Sequence, residues 1–404
     1  MGESDRNVLA EIEKQVLYLS PFIKEISVQK RDEEIIALIY PDFDALKKHQ
    51  IINIESKIKW YAVELYNLDP IDGIKLDGYR IVQVPLATEK AGEEKEKVCI
   101  NEPRGEVYGQ IKSYLQGVAS QAVFPTSHLE LDLGLDSLDY VMLFVFIEKS
   151  FGVHIDEGIF ADLMVMQDIC DYVTENIQKL SISSVSWEEL IYEPITYKLP
   201  YSPLAVTLFK TLFLPLFKLY FRLEISGKER LPKSPYVIAP SHQSMLDGFI
   251  LAAALPYAVL KKSFFLAYKG EFGKWFMQPV SRHGQLIIID ANYGLKSVLQ
   301  RSALPLKEGD NIVIFPEGAR SRDGKLLPFK RFYAILAKEL DVPIVPVLLD
   351  GTFEALKAGK LFPRPVKVRI EYLPSVYPED SSHEQINAKV KTAIKEAMLK
   401  KPLR

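Results

Sequence analysis

After Tyr201 the chain repeats one pattern: short apolar runs separated by stretches long enough for a helix. The runs are YVIAP (236–240), GQLIIID (284–290), NIVIFP (311–316), PIVPVLL (343–349) and VKVRIEY (366–372). Each is too short for a packed helix, and near-continuous apolar runs suit strands buried on both faces. Parallel neighbours need crossover connections, and helical segments supply them, so this half of the chain predicts an α/β domain. Its last segment, HEQINAKVKTAIKEAMLKK, places Ile386, Val390, Ala393, Ile394 and Ala397 on one helical face.

The preceding residues do not follow this pattern. Residues 1–104 mix helix and strand, with the charged run EKAGEEKEK at 89–97 predicting a loop, and read as a small α+β subdomain. Residues 105–180 read as a helical bundle: EVYGQIKSYLQGVAS, SLDYVMLFVFIEKSF and a segment through MQDICDYVTENIQ. Residues 181–199 predict a linker and 200–404 the α/β domain, which makes a multidomain chain, as 404 residues lead one to expect. A flexible linker of that length has an r.m.s. reach of roughly 25 Å.

Charge separates the same regions. Residues 125–180 hold eleven acidic and two basic residues, net −9, whereas 198–404 hold 32 basic and 18 acidic residues, net +14. Opposite charge on two parts of one chain predicts domains that dock on each other, or different partners. The cysteines, Cys99 and Cys170, form no CxxC and no zinc-ligand spacing. That fits a reducing compartment and predicts no metal site. The polar start MGESDRNVLAEIEK does not read as a signal peptide, so a cytoplasmic location is expected.

Two motifs in the α/β half carry chemistry. In SHQSMLD a strand ends in a loop bearing His242, and Asp247 follows where a helix begins. An aspartate there can fix the imidazole tautomer and stabilise the imidazolium, which makes a general base and its orienter. In FPEGARS another strand runs into a turn with Glu317, Gly318 and Arg320. Glycine allows close backbone approach to a ligand, and arginine suits bidentate phosphate binding. Together with GQLIIID and PIVPV, these segments resemble, in order and spacing, the four motifs of the glycerophospholipid acyltransferase family over about 200–375. The resemblance implies His242 as base, Asp247 as its partner, and Glu317, Gly318 and Arg320 at the acceptor phosphate. Where that family often carries an arginine after its second motif, this chain has Asp290-Ala291.

In the helical region, LGLDSL places Ser137 at a helix start, followed by an amphipathic pattern and FGVHIDE. Helix N-termini favour phosphate groups. A plain N-cap is the simpler reading of the serine alone. The whole unit resembles acyl carrier proteins, which implies 4′-phosphopantetheine on Ser137, attached by a phosphopantetheinyl transferase. Met142 stands where such carriers often have an acidic residue. Residues 5–100 resemble the small C-terminal subdomain of adenylate-forming enzymes, without the large ATP-binding domain and without an intact Gly-Lys motif at AGEEKEK. This implies either a separate adenylation protein as partner or a docking remnant.

The segment SPLAVTLFKTLFLPLFKLYFRLEI (202–225) is apolar but carries Lys210, Pro215, Lys218 and Arg222. It predicts an amphipathic helix, broken or kinked at Pro215, lying on the inner membrane face with its basic stripe at the headgroups. FFLAYKGEFGKWFMQP predicts a second aromatic and basic contact with that surface. The leading expectation is an O-acyltransferase moving a fatty acyl group from a thioester on Ser137 to a lysophospholipid or glycerol-phosphate hydroxyl, with no nucleic-acid partner. Acyl-CoA as donor, a non-phospholipid acceptor, and a non-catalytic carrier scaffold are the alternatives.

Overall fold

The computed structural model describes residues 3–31, 34–90, 102–103, 105–119, 121–181, 185–289, 294–357, 360 and 362–400. The chain forms two compact units, residues 1–185 and 186–404. The AGEEKEK run, Cys99 and Asp290-Ala291 lie outside the described residues.

The first unit begins with helix α1 (Glu3–Leu19) and strands β1 (Ile23–Arg31) and β2 (Glu34–Pro41), paired antiparallel. β1 alternates buried and open positions, so one of its faces lies on the core. Ile12 and Val16, one helical turn apart on α1, are fully buried. A third strand, β3 (Gly78–Ile81), joins β2 in parallel, and the chain between them forms helices α2 (Phe43–Lys48) and α3 (Ile54–Ile58).

The rest of this unit is helical: α4 (Glu106–Val118), α5 (Ser137–Phe151) and α6 (Met166–Asn176). Asp136 caps α5 in a reciprocal capping box with Asp139, and Gly152, in the left-handed region at φ 70°, ends it. α5 is buried along most of its length, with Tyr114 stacked on Phe146 and Phe160 packed at a tilt against Phe144. Met142, at the position where an acidic side chain was looked for, is therefore a core residue.

The second unit opens with a surprise for the linker reading. Residues 187–192 form a short helix capped by Ser186, with Leu190 and Ile191 buried. Glu193 pairs with Lys296 at 2.7 Å, and Gln300 Nε2 donates to the Leu190 carbonyl at 3.2 Å. An apolar pair inside the supposed linker, LI, docks its second half, so the reach of a linker flexible over 181–199 does not apply.

Helix α7 (Pro203–Tyr220) follows and runs through Pro215 as one helix. Beyond it lies a seven-stranded sheet of β4 (Glu224–Ser226), β5 (Val237–Pro240), β6 (Ser263–Tyr268), β7 (Leu286–Ile289), β8 (Asn311–Val313), β9 (Ile344–Asp350) and β10 (Arg369–Tyr372). The spatial order is β4-β10-β9-β5-β8-β6-β7. All pairs are parallel except β9 with β10. Helices α8 (Asp247–Ala254), α9 (Leu295–Lys307), α10 (Phe332–Glu339) and α11 (His383–Leu399) complete the unit. Ile386, Val390 and Ile394 of α11 are buried, as their spacing predicts, whereas Ala393 and Ala397 are not.

Two membrane expectations change. The start of FFLAYKGEFGKWFMQP belongs to strand β6, where Phe264 and Phe265 are buried core residues, whereas Trp275 further along is exposed. Lys210 is turned toward the protein: its Nζ donates to the Ala253 and Leu255 carbonyls, 2.6 and 2.5 Å away, at the C-terminal end of α8. A cation belongs there because the last carbonyls of a helix lack intrahelical donors. Burial lowers the Lys210 ammonium to a pKa of about 8. The outward face of α7 is instead a leucine row: Leu204, Leu208, Leu212, Leu216 and Leu219.

Candidate active site

β5 is wholly buried and ends at Pro240, so the next residues leave the sheet at its C-terminal edge, where ligands bind in open α/β sheets. Ser241 fastens this exit. Its backbone N–H donates to the Val347 carbonyl and its Oγ accepts from Leu349 N, both at 3.0 Å on β9. His242 then projects from the loop.

Asp247 begins α8 and is fully buried. Its Oδ2 lies 2.9 Å from His242 Nδ1 and accepts the Gln243 and Ser244 N–H groups at 2.6 and 2.7 Å. The carboxylate thus binds both the ring and the loop that presents it. Acceptance at Nδ1 selects the tautomer with the proton there, which leaves the Nε2 lone pair for a substrate proton.

The second motif grips the same loop. Glu317 is only 3% exposed, and its two oxygens accept the N–H groups of His242 and Leu327, each at 2.7 Å. The Ser321 N–H donates to the His242 carbonyl at 2.9 Å, and the Phe315 ring stacks on the imidazole, centroids 4.0 Å apart. Burial pushes the Glu317 carboxyl up to about 7, against the two N–H donors that favour its charged form. Glu317, which the family resemblance implies at the acceptor phosphate, faces inward with both oxygens engaged by the chain itself. Nothing in FPEG distinguishes an inward carboxylate from an outward one; only the paired loop does.

Gly318 is exposed and sits at φ 65°, a conformation in which a β-carbon is strained. Arg320 lines the same cavity as His242. That cavity measures about 370 Å³, and beyond these two side chains its wall is mainly apolar: Val206 and Phe209 of α7, Phe249 of α8, Phe265 of β6, and Phe272 and Val280 beyond it. The motifs alone bring His242, Asp247 and Arg320 together but not this wall, most of whose residues come from the two segments expected at the membrane. Ser137 lies in the other unit.

His242 and Asp247 thus meet at a sheet edge, braced by a Pro-Glu-Gly turn beside a mainly apolar cavity. Residues 222–350 match the family described as Acyltransferase. The 1-acyl-sn-glycerol-3-phosphate acyltransferase of Limnanthes douglasii is 28% identical over 173 residues, 42% of this chain and 59% of that one. The Saccharomyces cerevisiae enzyme of the same name is 34% identical over 140 residues, 32% of this chain and 43% of that one. The crystal structure of the 1-acyl-sn-glycerophosphate acyltransferase PlsC from Thermotoga maritima aligns with a TM-score of 0.42 and 23% identity, covering 49% of this chain and 81% of that one. The chain thus spans roughly half the length of the curated relatives it matches, and the matched family segment excludes residues 1–221.

Proposed function

We propose that this protein is an O-acyltransferase that moves a fatty acyl group from a phosphopantetheine thioester on Ser137 to a hydroxyl of a lysophospholipid or glycerol-phosphate-type acceptor. The observation that carries the reading is the His242–Asp247 pair and Arg320 at a mainly apolar cavity. His242 Nε2 takes the proton of the acceptor hydroxyl as that oxygen attacks the acyl carbonyl, Asp247 stabilises the imidazolium, and the C–S bond then breaks, the pantetheine sulfur leaving with that proton as the free thiol. Arg320 holds the acceptor's phosphate, and the apolar wall receives a hydrocarbon chain. Glu317 keeps the His242 loop in place.

Ser137 fits the attachment role. Asp136 performs the capping, so the serine hydroxyl is not consumed by its own helix. Bound there, the prosthetic arm supplies a thiol that holds the acyl group as a reactive thioester. The acidic 125–180 block and the basic second unit support this carrier as the donor, through complementary charge. The leucine row of α7 supports contact with a bilayer, where the acceptor resides. By length and composition this helix is also apolar enough to span one, but Lys210 anchors it to α8, and we read it as lying at the interface.

The test is a single-turnover assay. Acyl-loaded full-length protein is mixed with lysophosphatidate in lipid vesicles, and loss of acyl from Ser137 is followed by intact mass. Transfer that appears as phosphatidate supports the reading. Acyl retained on Ser137 while added acyl-CoA yields phosphatidate assigns the donor to coenzyme A instead.

A further inference from the structure

Although Ser137 is the first residue of α5, its hydroxyl points away from the helix that it begins. It donates to Oδ1 of Asn53 at 2.7 Å, a residue 84 positions earlier in the N-terminal subdomain. Asn53 stands at the N-cap of α3 yet makes no side-chain bond to its own helix. That cap comes from across the contact: Glu130 accepts the N–H of Ile54 at 2.7 Å and of Glu55 at 3.1 Å. Beside them Gln83 Nε2 donates to Asp132 Oδ1 at 2.8 Å, and Phe43 lies against His128. The segment 128–137 is thus held by the subdomain at its ends and its middle.

We propose that this contact is a latch that reads the modification state of Ser137: the N-terminal subdomain holds the carrier segment while the serine is a free hydroxyl and lets it go once a phosphodiester is attached. The inference rests on the reading of Ser137 as the attachment point. In attachment, Oγ attacks the pyrophosphate of coenzyme A. The Oγ–H bond breaks, an Oγ–P bond forms, the P–O–P bridge breaks, adenosine 3′,5′-bisphosphate leaves, and the proton goes to solvent. The product oxygen has no hydrogen, so Asn53 Oδ1 loses its donor. The new group also brings a negative charge to a place already carrying Glu130, Asp136 and Asp139, the first of which must stay seated on α3. Both changes weaken the same contact. A carrier that must travel to a second site gains from a hold that ends on loading.

The experiment uses full-length apo-protein, a phosphopantetheinyl transferase and coenzyme A, with intact mass for the rate of modification and hydrogen exchange for the amides of residues 54–58. Asn53→Ala should be modified about two- to tenfold faster than wild type, the factor set by one neutral hydrogen bond. The Ile54 and Glu55 amides should exchange faster in wild-type holo-protein than in apo-protein, by a similar factor. Asn53→Asp, which still accepts the hydroxyl but repels the phosphodiester, should widen the difference between apo and holo. Equal exchange in apo and holo wild type, or slower modification of Asn53→Ala, overturns the latch while the mass gain leaves the carrier reading standing. No mass gain in wild type or either variant removes the carrier reading, and the latch with it.

Discussion

Asp136 and Asp247 both stand at the start of a helix, and they use the position in opposite directions. Asp136 reaches forward, accepting the N–H groups of Leu138 and Asp139, and so completes α5 and leaves the next side chain, Ser137, free of its own helix. Asp247 reaches back, accepting from Gln243, Ser244 and the His242 ring, and so fixes a loop rather than its own helix. The first arrangement presents a hydroxyl to a partner. The second locks an imidazole. One residue type at one kind of position thus frees a hydroxyl from its own helix in one unit and fixes an imidazole in the other. Asp136 is partly open, whereas Asp247 has no access to solvent.

The largest test of that contrast removes the base. His242→Ala should lower acyl transfer by about 10²–10⁴ while modification of Ser137 continues, as read by single-turnover loss of acyl alongside intact mass. Transfer at the wild-type rate would remove the site assignment. Asp247→Asn keeps the size of the side chain but not its charge, and the expected loss in the same assay is near the lower end of that range, about 10².

Glu317→Gln is expected to lose about tenfold in kcat, because an amide nitrogen faces an N–H where a carboxylate oxygen accepted one. It has a second signature. Since the folded carboxyl titrates at about 7, above its ordinary value of 4.5, the folded unit holds a proton between those values that the unfolded chain has shed. Stability from this site is therefore greatest at acid pH and falls as pH rises from 4.5 to about 7. The variant should flatten the pH dependence of the unfolding midpoint across that window; an unchanged slope would place the titration elsewhere. The smallest effect belongs to Asp136→Ala. Loss of one cap, about 1 kcal/mol, should speed exchange of the Leu138 and Asp139 amides about fivefold without touching transfer chemistry on loaded protein.

Much of this was legible because the informative residues are local. A strand, a loop histidine and an aspartate five residues on are one contiguous reading, and the three helices of residues 105–180 carry their own periodicity. Glu317 departs from its expected place because whether a side chain faces in or out depends on a segment remote in sequence. Glu317 is engaged by Leu327 and by His242, 75 residues away. The first residues of FFLAYKGEFGKWFMQP proved to be core for another reason, since a buried strand and an aromatic membrane contact have the same composition. The linker failed because two buried residues suffice to dock it. Asn53, an unremarkable polar residue before a five-residue helix, gave no signal in sequence at all.

The bond from Lys210 to the end of α8 has a mechanical meaning. α8 is eight residues long, roughly 12 Å, with Asp247 at one end and the lysine's anchor at the other. With the leucine row of α7 resting in a bilayer, as proposed, the depth at which those leucines settle fixes the height and tilt of α8, and through it the aim of His242. The lipid surface then acts as a ruler for the catalytic pair, setting how far above the headgroups an acceptor hydroxyl must rise to be reached.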